Sequence, residues 1–359
     1  MSLRARVLTL VALVFPCASP VIASRVVVPD DFPSVQSAVT SGADTVVVKD
    51  GLNPERVVAP ADVVLEPFAY PYPPGHQAFP SLRSLEITPL GGYSAGGTIR
   101  VRGFRLLGHL KFSTYNFTLA FENCRFDSAV VMPSYPFGPQ SFALIGCLFL
   151  DTLSVRAGWV QMIGNTSIGS GVFVFADGDH DIRGNVVTGA PGPGLTLSLW
   201  DSIGEVNSNT VTDCGTGILV LSPPGPMRDN RIERCTGDGI VFNDLDGGVP
   251  AARLFRNVIR DCGGRGIVLG RGWTGSPIHA NDIQRTGGHG MEFHDNSRVV
   301  LADSNRIVDA GGDGIRGANA EMLLGNIVIR AAGAGIRLRL PVYNKTVTNS
   351  THHVVEANI

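Results

Sequence analysis

The chain predicts an all-β solenoid, a single parallel β-helix, on three observations. The first is a repeat between Asn185 and Leu340: seven times an Asn is followed, eight or nine residues later, by the second Gly of a Gly-x-Gly and then by an apolar residue. The copies run Asn185…Gly194-Leu195, Asn209…Gly217-Ile218, Asn230…Gly239-Ile240, Asn257…Gly266-Ile267, Asn281…Gly290-Met291, Asn305…Gly314-Ile315 and Asn326…Gly335-Ile336, with a period of 21 to 27 residues. A period of that size marks a structure in which each copy buries its apolar face against its neighbours. The second observation is alternation inside each copy, as in Asn230-Arg231-Ile232-Glu233 and Gly239-Ile240-Val241-Phe242, which reads as short strands with one buried face. The third is the punctuation. Gly and Asn separate the runs and turn the chain, and no segment of the region has a helical apolar period. Each strand is expected to pair with its equivalent one coil away, at about 4.8 Å. The recurring Asn should stack into an amide ladder at an internal turn.

Aligned copies give columns. Four residues after each Asn, from Asn209 onward, stand Asp213, Arg234, Asp261, Arg285, Asp309 and Arg330, whose signs alternate over six coils. That alternation suits an outward stacked position, where like charges would repel. One residue further on are Cys214, Cys235, Cys262, Thr286, Ala310 and Ala331, small enough for a tight inward corner.

Taken in order, residues 1–23 read as a signal peptide. Arg4 and Arg6 supply a positive start, Val7 to Phe15 an apolar core too short to span a bilayer, and Val21-Ile22-Ala23 a cleavage site. No later segment is long and apolar enough to cross a membrane. Residues 24–99 are assigned to a cap and the first coils, and 100–359 to the β-helix. Within the cap, the valine run after Arg25 and the stretch Asp44-Thr45-Val46-Val47-Val48 each hold a strand, and residues 34–41 read as a short amphipathic helix plugging the open end of the solenoid.

From Arg100 to Ile168 the coils are degenerate but keep their spacing. Two Pro- and aromatic-rich insertions, residues 67–80 and 133–139, are excluded from central strands by their prolines. They read either as platforms for sugar rings or as loops covering the side. The mature chain keeps five Cys (124, 147, 214, 235, 262). Stacked equivalents point the same way, which suits a disulfide poorly, so free buried thiols are expected. Asn358-Ile359 reads like the opening of a further coil, an open end that would favour self-association.

The segment 26–48, with Gly51 and Glu55, resembles the N-terminal cap of right-handed parallel β-helix proteins of the pectin lyase-like superfamily. The Asn-x-Ile…Gly-x-Gly-Ile coils are similar to repeats shared by that group and NosD-like periplasmic proteins. The resemblance covers nearly the whole mature chain and implies a right-handed β-helix. It does not select an activity, because such coils serve lyases, hydrolases, esterases, epimerases and proteins without catalysis. Gly288-His289-Gly290 resembles the Gly-His-Gly of polygalacturonases. That family also needs an Asn-x-Asp, a paired Asp-Asp on the next coil and an Arg-x-Lys, and Gly264-Arg265 stands near where the Asp pair would fall. His289 therefore reads as one member of a variable column: Pro193, Thr216, Asp238, Arg265, His289, Asp313, Ala334.

The candidate catalytic residues are Asp244, Arg271 and Asp295, on consecutive coils four residues after the Gly-x-Gly hydrophobe. Asp246, His294 and Trp273 nearby are candidate substrate contacts. Carboxylates two coils apart would stand roughly 9.6 Å from each other, near the upper separation for an inverting glycosidase. An Arg between acids also suits a lyase, where a base removes a proton beside a sugar carboxylate. The same column also reads as a second charge ladder. No Cys/His spacing marks a metal site and no cofactor is implied; Ca²⁺ is left open, although no motif indicates it. A net charge of −2 speaks against a polyanion-binding surface, and no nucleic-acid partner is expected. The expectation is an exported protein, secreted, periplasmic or on the cell surface, that binds polysaccharide along the solenoid's side, with lyase or glycoside hydrolase processing left open. The alternatives are a non-catalytic structural or adhesive surface protein and a periplasmic NosD-like accessory protein.

Overall fold

A computed structural model describes residues 24–49, 55–59, 62–68, 80–87, 97–108, 110–112, 117–132, 139–200, 204–222, 224–243, 253–273, 275–294, 297, 299–317, 320–338, 346–348 and 355–357. The signal-peptide segment, most of both Pro-rich insertions, and Asn358 and Ile359 lie outside the described residues.

Inter-coil pairing builds a right-handed solenoid of about 11 turns. Its described strands form three parallel sheets: sheet A of 15 strands, sheet B of 14 and sheet C of 11. In the regular coils each turn visits A, then B, then C. Every strand pairs in register with its equivalents in the coils before and after, as in Ile218↔Ile240↔Ile267↔Met291↔Ile315↔Ile336 of sheet C. Alternation puts these residues inside: Ile218, Ile240, Ile267, Met291 and Ile315 are all 0% exposed. The core is therefore a stack of aliphatic and phenylalanine rungs running the length of the molecule.

The recurring Asn sits at the A-to-B corner. Asn165, Asn185, Asn209, Asn230, Asn257, Asn281, Asn305 and Asn326 are all buried. From Asn165 to Asn305 each side-chain Nδ2 donates to the Oδ1 of the Asn one coil on, at 2.8–3.0 Å. The same amide donates to a backbone carbonyl of the preceding coil, and its Oδ1 accepts a backbone N–H from that coil. One residue type thus satisfies the polar groups that a sharp buried corner strands. In the degenerate coils the column passes to Cys147 and Cys124. Cys147 N–H donates to Asn165 Oδ1 at 2.9 Å, and its Sγ contacts the Phe121 carbonyl at 3.4 Å. All five described cysteines are buried free thiols.

Two backbone positions per coil lie in the left-handed region, one at each end of the sheet B strand. One precedes the ladder residue (Ser208, Asp229, Arg256, Ala280, Ser304) and the other lies four beyond it. The second is the charge column: Asp213, Arg234, Asp261, Arg285, Asp309 and Arg330 have φ of +53 to +57°. The alternation holds, and it resolves into three forks. Arg234, Arg285 and Arg330 each reach back one coil to Asp213, Asp261 and Asp309, with Nη2–Oδ2 distances of 2.8–2.9 Å.

Helix α1 (Val35–Thr40) covers the N-terminal end. Ser34 caps it through a reciprocal Ser34–Ser37 box, and Val35, Ala38 and Val39 are buried. Glu55 accepts the Val35 N–H at 2.6 Å and the Gln36 N–H at 3.3 Å, placing an anion at the helix N-terminus. Gln36 then imitates a strand. Its Oε1 accepts the Val58 N–H at 2.6 Å and its Nε2 donates to the Val58 carbonyl at 3.1 Å, satisfying the first strand of sheet B (Glu55–Ala59). The expected plug is thus also an edge cap.

Candidate functional site

The outer face of sheet C is built by the stretch Gly-x-Gly-apolar-y-apolar. The second Gly admits no side chain, because a Cβ on Gly239, Gly266, Gly290 or Gly314 would lie 2.3–2.6 Å from the next coil's carbonyl oxygen or an Ile/Val methyl. The backbones therefore pack closely, and x and y are left facing outward. Over successive coils x is Asp238, Arg265, His289, Asp313 and Ala334, while y is Val241, Val268, Glu292, Arg316 and Arg337.

These residues form one connected run. Asp238 accepts from Arg265 through the backbone N–H (2.6 Å), Nε (3.1 Å) and Nη2 (2.8 Å). The other arm of Arg265 crosses to Glu292, Nη1–Oε2 2.6 Å. Glu292 lies 3.9 Å from both His294 Nε2 and Arg316 Nε. Arg316 Nη1 meets His289 Nε2 at 2.9 Å, and His289 Nδ1 accepts the Asp313 backbone N–H at 2.8 Å. Asp313 Oδ1 accepts the Ala334 N–H at 2.8 Å and stands 3.4 Å from Arg337 Nη2. Burial pushes the Asp238 and Glu292 carboxyls up, but Arg265 outweighs it and holds both below the ordinary carboxylate range. The x side chains have a backbone duty as well. Asp238, His289 and Asp313 each accept the N–H of the next coil's x residue, and this is why acceptors recur there.

N-terminal to the charged run, the y column continues as Phe173, Thr196 and Leu219. Trp200, just beyond the sheet C strand Pro193–Leu199, is 54% exposed. From that strand to Ile336–Leu338 the face crosses seven successive strands, about 29 Å at one coil per 4.8 Å. Among the described residues no group of three or more His, Cys, Asp or Glu side chains is placed to hold a metal ion.

Asp244, Asp246 and Asp295 lie outside the described residues. Arg271 is exposed in the turn after the strand Ile267–Leu269. His294 joins the run beside Glu292. Trp273 corrects an expectation. It is 0% exposed, packs edge-on against Phe242 with centroids 4.8 Å apart, and donates Nε1–H to the Asn243 carbonyl at 2.8 Å. Its turn folds back over the core, so the ring is not available to stack on a sugar, whereas Trp200 is. In sequence the x column is merely variable; its counterpart is the y column three residues on, where Glu292, Arg316 and Arg337 follow the apolar Leu219, Val241 and Val268.

The family model for the right-handed β-helix region matches residues 154–275 and 255–351, together more than half of the chain. The chain belongs to the right-handed β-helix family. No curated protein sequence matches it. Among solved structures, this β-helix chain is similar to the catalytic domain of a GH87 α-1,3-glucanase in complex with nigerose. The identity is 12%, covering 93% of this chain and 70% of that one, with a TM-score of 0.47. It is also similar to the mannuronan C-5 epimerase AlgE4 A-module of Azotobacter vinelandii (13% identity, 89% and 96% covered, TM-score 0.45). A third is PfbA, a surface adhesin of Streptococcus pneumoniae (11% identity, 86% and 90% covered, TM-score 0.44).

Proposed function

We propose that this β-helix chain is an exported protein that binds polysaccharide along the outer face of sheet C. The observation that carries the reading is the connected run from Asp238 to Arg337, laid over consecutive coils of one rigid sheet that also bears the exposed Trp200. Functional side chains held by regular strands are presented without the entropy cost of ordering loops. Forks of Arg and carboxylate suit vicinal hydroxyls and sugar carboxylates, and an exposed indole suits the apolar face of a pyranose. Glu292 and His289 add a carboxylate and an imidazole for proton transfer, the minimum a lyase or hydrolase would need. Arg271, in the turn after a strand of the same sheet, belongs in the same test, as do Asp244, Asp246 and Asp295.

The experiment is binding to, and release of reducing or unsaturated ends from, a panel of acidic and neutral polysaccharides. Wild type is compared with Trp200→Ala, Glu292→Gln, His289→Gln, Asp244→Ala and Asp295→Ala. Binding weakened by Trp200→Ala supports the reading. Turnover lost in Glu292→Gln or His289→Gln assigns chemistry to the run, and binding without turnover assigns an adhesive role. If no glycan binds, the proposal fails.

A further inference from the structure

This chain carries an internal standard for how it arranges stacked charge. At the B-to-C corner the signs alternate over six coils, and each Arg there forks onto an Asp at 2.8–2.9 Å. The outer column of sheet C breaks that rule. Arg316 and Arg337 are register partners on adjacent strands, and like charges directly opposed on a sheet are destabilising. The carboxylates near them stand at longer distances than the forks of the charge column. The nearest contact of Arg316 with Glu292 is 3.9 Å and that of Arg337 with Asp313 is 3.4 Å, and Asp313 Oδ1 already accepts the Ala334 N–H. Glu292 in turn is held at 2.6 Å by Arg265.

His289 supplies a second, independent observation. Its Nδ1 accepts the Asp313 backbone N–H at 2.8 Å, which places the neutral ring's proton on Nε2. Nε2–H then faces Arg316 Nη1 at 2.9 Å. A guanidinium has five donors and no acceptor, so two donors meet with no lone pair between them. Turning the ring over puts carbon atoms at both places and loses the Asp313 bond as well. An acceptor set between the two groups would relieve the mismatch.

We infer that Arg316, Arg337 and the His289 Nε2–H form a subsite for an anionic oxygen, a carboxylate or sulfate group carried by the ligand. One such group accepts from His289 and Arg316 together and neutralises the Arg316–Arg337 repulsion, by charge-assisted bonds that Lys geometry would reproduce poorly. The inference rests on the sheet C face being the glycan-binding face and narrows its ligand to glycans bearing anionic groups. A local cation pair does this within a chain of net charge −2.

The test uses the full chain with ¹⁵N-labelled histidine, reading the His289 ring nitrogens by NMR, with His289→Gln to assign them. The probes are oligogalacturonate, a sulfated oligosaccharide, a neutral oligoglucose and inorganic sulfate. The expected result is a His289 Nε2 shift with the anionic probes and none with oligoglucose. Arg316→Gln should weaken anion binding at least tenfold, and Arg316→Lys should restore only part of it. Without ligand, Arg316→Gln should raise the melting temperature, because it removes a repulsion, whereas loss of a structural ion pair would lower it. Sulfate binding at His289 with no glycan bound supports the subsite and removes the polysaccharide reading. Neutral oligomers binding as well as acidic ones, or anions binding Arg316→Gln as tightly as wild type, overturn the subsite. No anion-induced shift at His289 overturns it too.

Discussion

Replacing Asn257 by Ala should cost far more than its single buried amide suggests. In the ladder its Oδ1 accepts the Asn230 N–H at 3.1 Å and the Asn230 Nδ2–H at 2.9 Å. Its Nδ2 donates to Asn281 Oδ1 at 3.0 Å and to the Met227 carbonyl at 3.1 Å. Truncation leaves two donors of Asn230 without an acceptor at a site that is 0% exposed. Asn281 Oδ1 still accepts the Asn257 N–H, and a carbonyl such as Met227's tolerates under-satisfaction better than an N–H does. At about 1–3 kcal/mol for each buried orphaned donor, the cost is about 2–6 kcal/mol. Asn257→Cys should fall between wild type and Asn257→Ala. The chain itself places Cys147 and Cys124 in this column, each with Sγ 3.4 Å from a carbonyl of the preceding coil. Urea denaturation gives the ranking, and hydrogen exchange at the Asn230 amide locates the damage. Because solenoids can unfold coil by coil, the local measurement is the stronger one. A cost below about 0.5 kcal/mol, with the Asn230 amide still protected, would show that the ladder contributes register but no stability.

Two further outcomes follow from charge. Asp261→Arg sets three arginines in a row with Arg234 and Arg285, and should lower the melting temperature in a salt-sensitive way. The added change Arg285→Asp should recover part of the loss, and equal melting temperatures across the set would contradict the stacked-column account. Acid should destabilise the fold in two stages. Burial holds His180 below the ordinary imidazole range; its Nε2–H donates to the Pro224 carbonyl at 2.8 Å and its Nδ1 has no partner in the described structure. The unfolded chain therefore binds that proton more readily, so the stability is full above about pH 6.5 and falls as pH drops below it. Arg234, Arg285 and Arg330 hold Asp213, Asp261 and Asp309 below the carboxylate range, a contribution present above about pH 3.9 and lost as pH falls further. His180→Gln should remove the first stage alone, as read by thermal melts across pH.

The coil was legible because its constraints recur. Every regular turn needs an amide at the corner, a residue without Cβ in the second Gly of Gly-x-Gly, and a small residue just after the charge column, so spacing alone aligns the copies and their charge column. The left-handed backbone under that column was not legible. Asp and Arg there look like ordinary surface residues, and nothing in their identity announces φ near +55°. The cap was read as a plug, but the pairing of Gln36 with Val58 depends on where the helix lies across the sheet edge, which pattern does not encode. Trp273 was misread for a similar reason. A Trp in a Gly-rich turn has the same signature whether the turn stands out or folds back, and only contact with Phe242 decides it. The sheet C run was missed because its parts come from different coils. Glu292 and Arg265 are 27 residues apart and meet only through the stacking.

In a solenoid the inward columns are under nearly uniform demand, so variation there is damped by packing. The outward columns carry the information, and two of them behave differently. At the B-to-C corner each Arg finds its Asp one coil back and the signs never clash. Along sheet C, Asp238, Arg265 and Glu292 obey the same logic, and then Arg316 and Arg337 depart from it within two coils. A sequence that solves a stacking problem three times in one column did not lack the means to solve it in another. The departure is where stability has been given up, and His289 facing Arg316 with a proton on each side lies at the same point. Strain of this kind persists when something outside the fold relieves it. For that reason the C-terminal half of the sheet C face, rather than the longest loops, is where a ligand should first be sought.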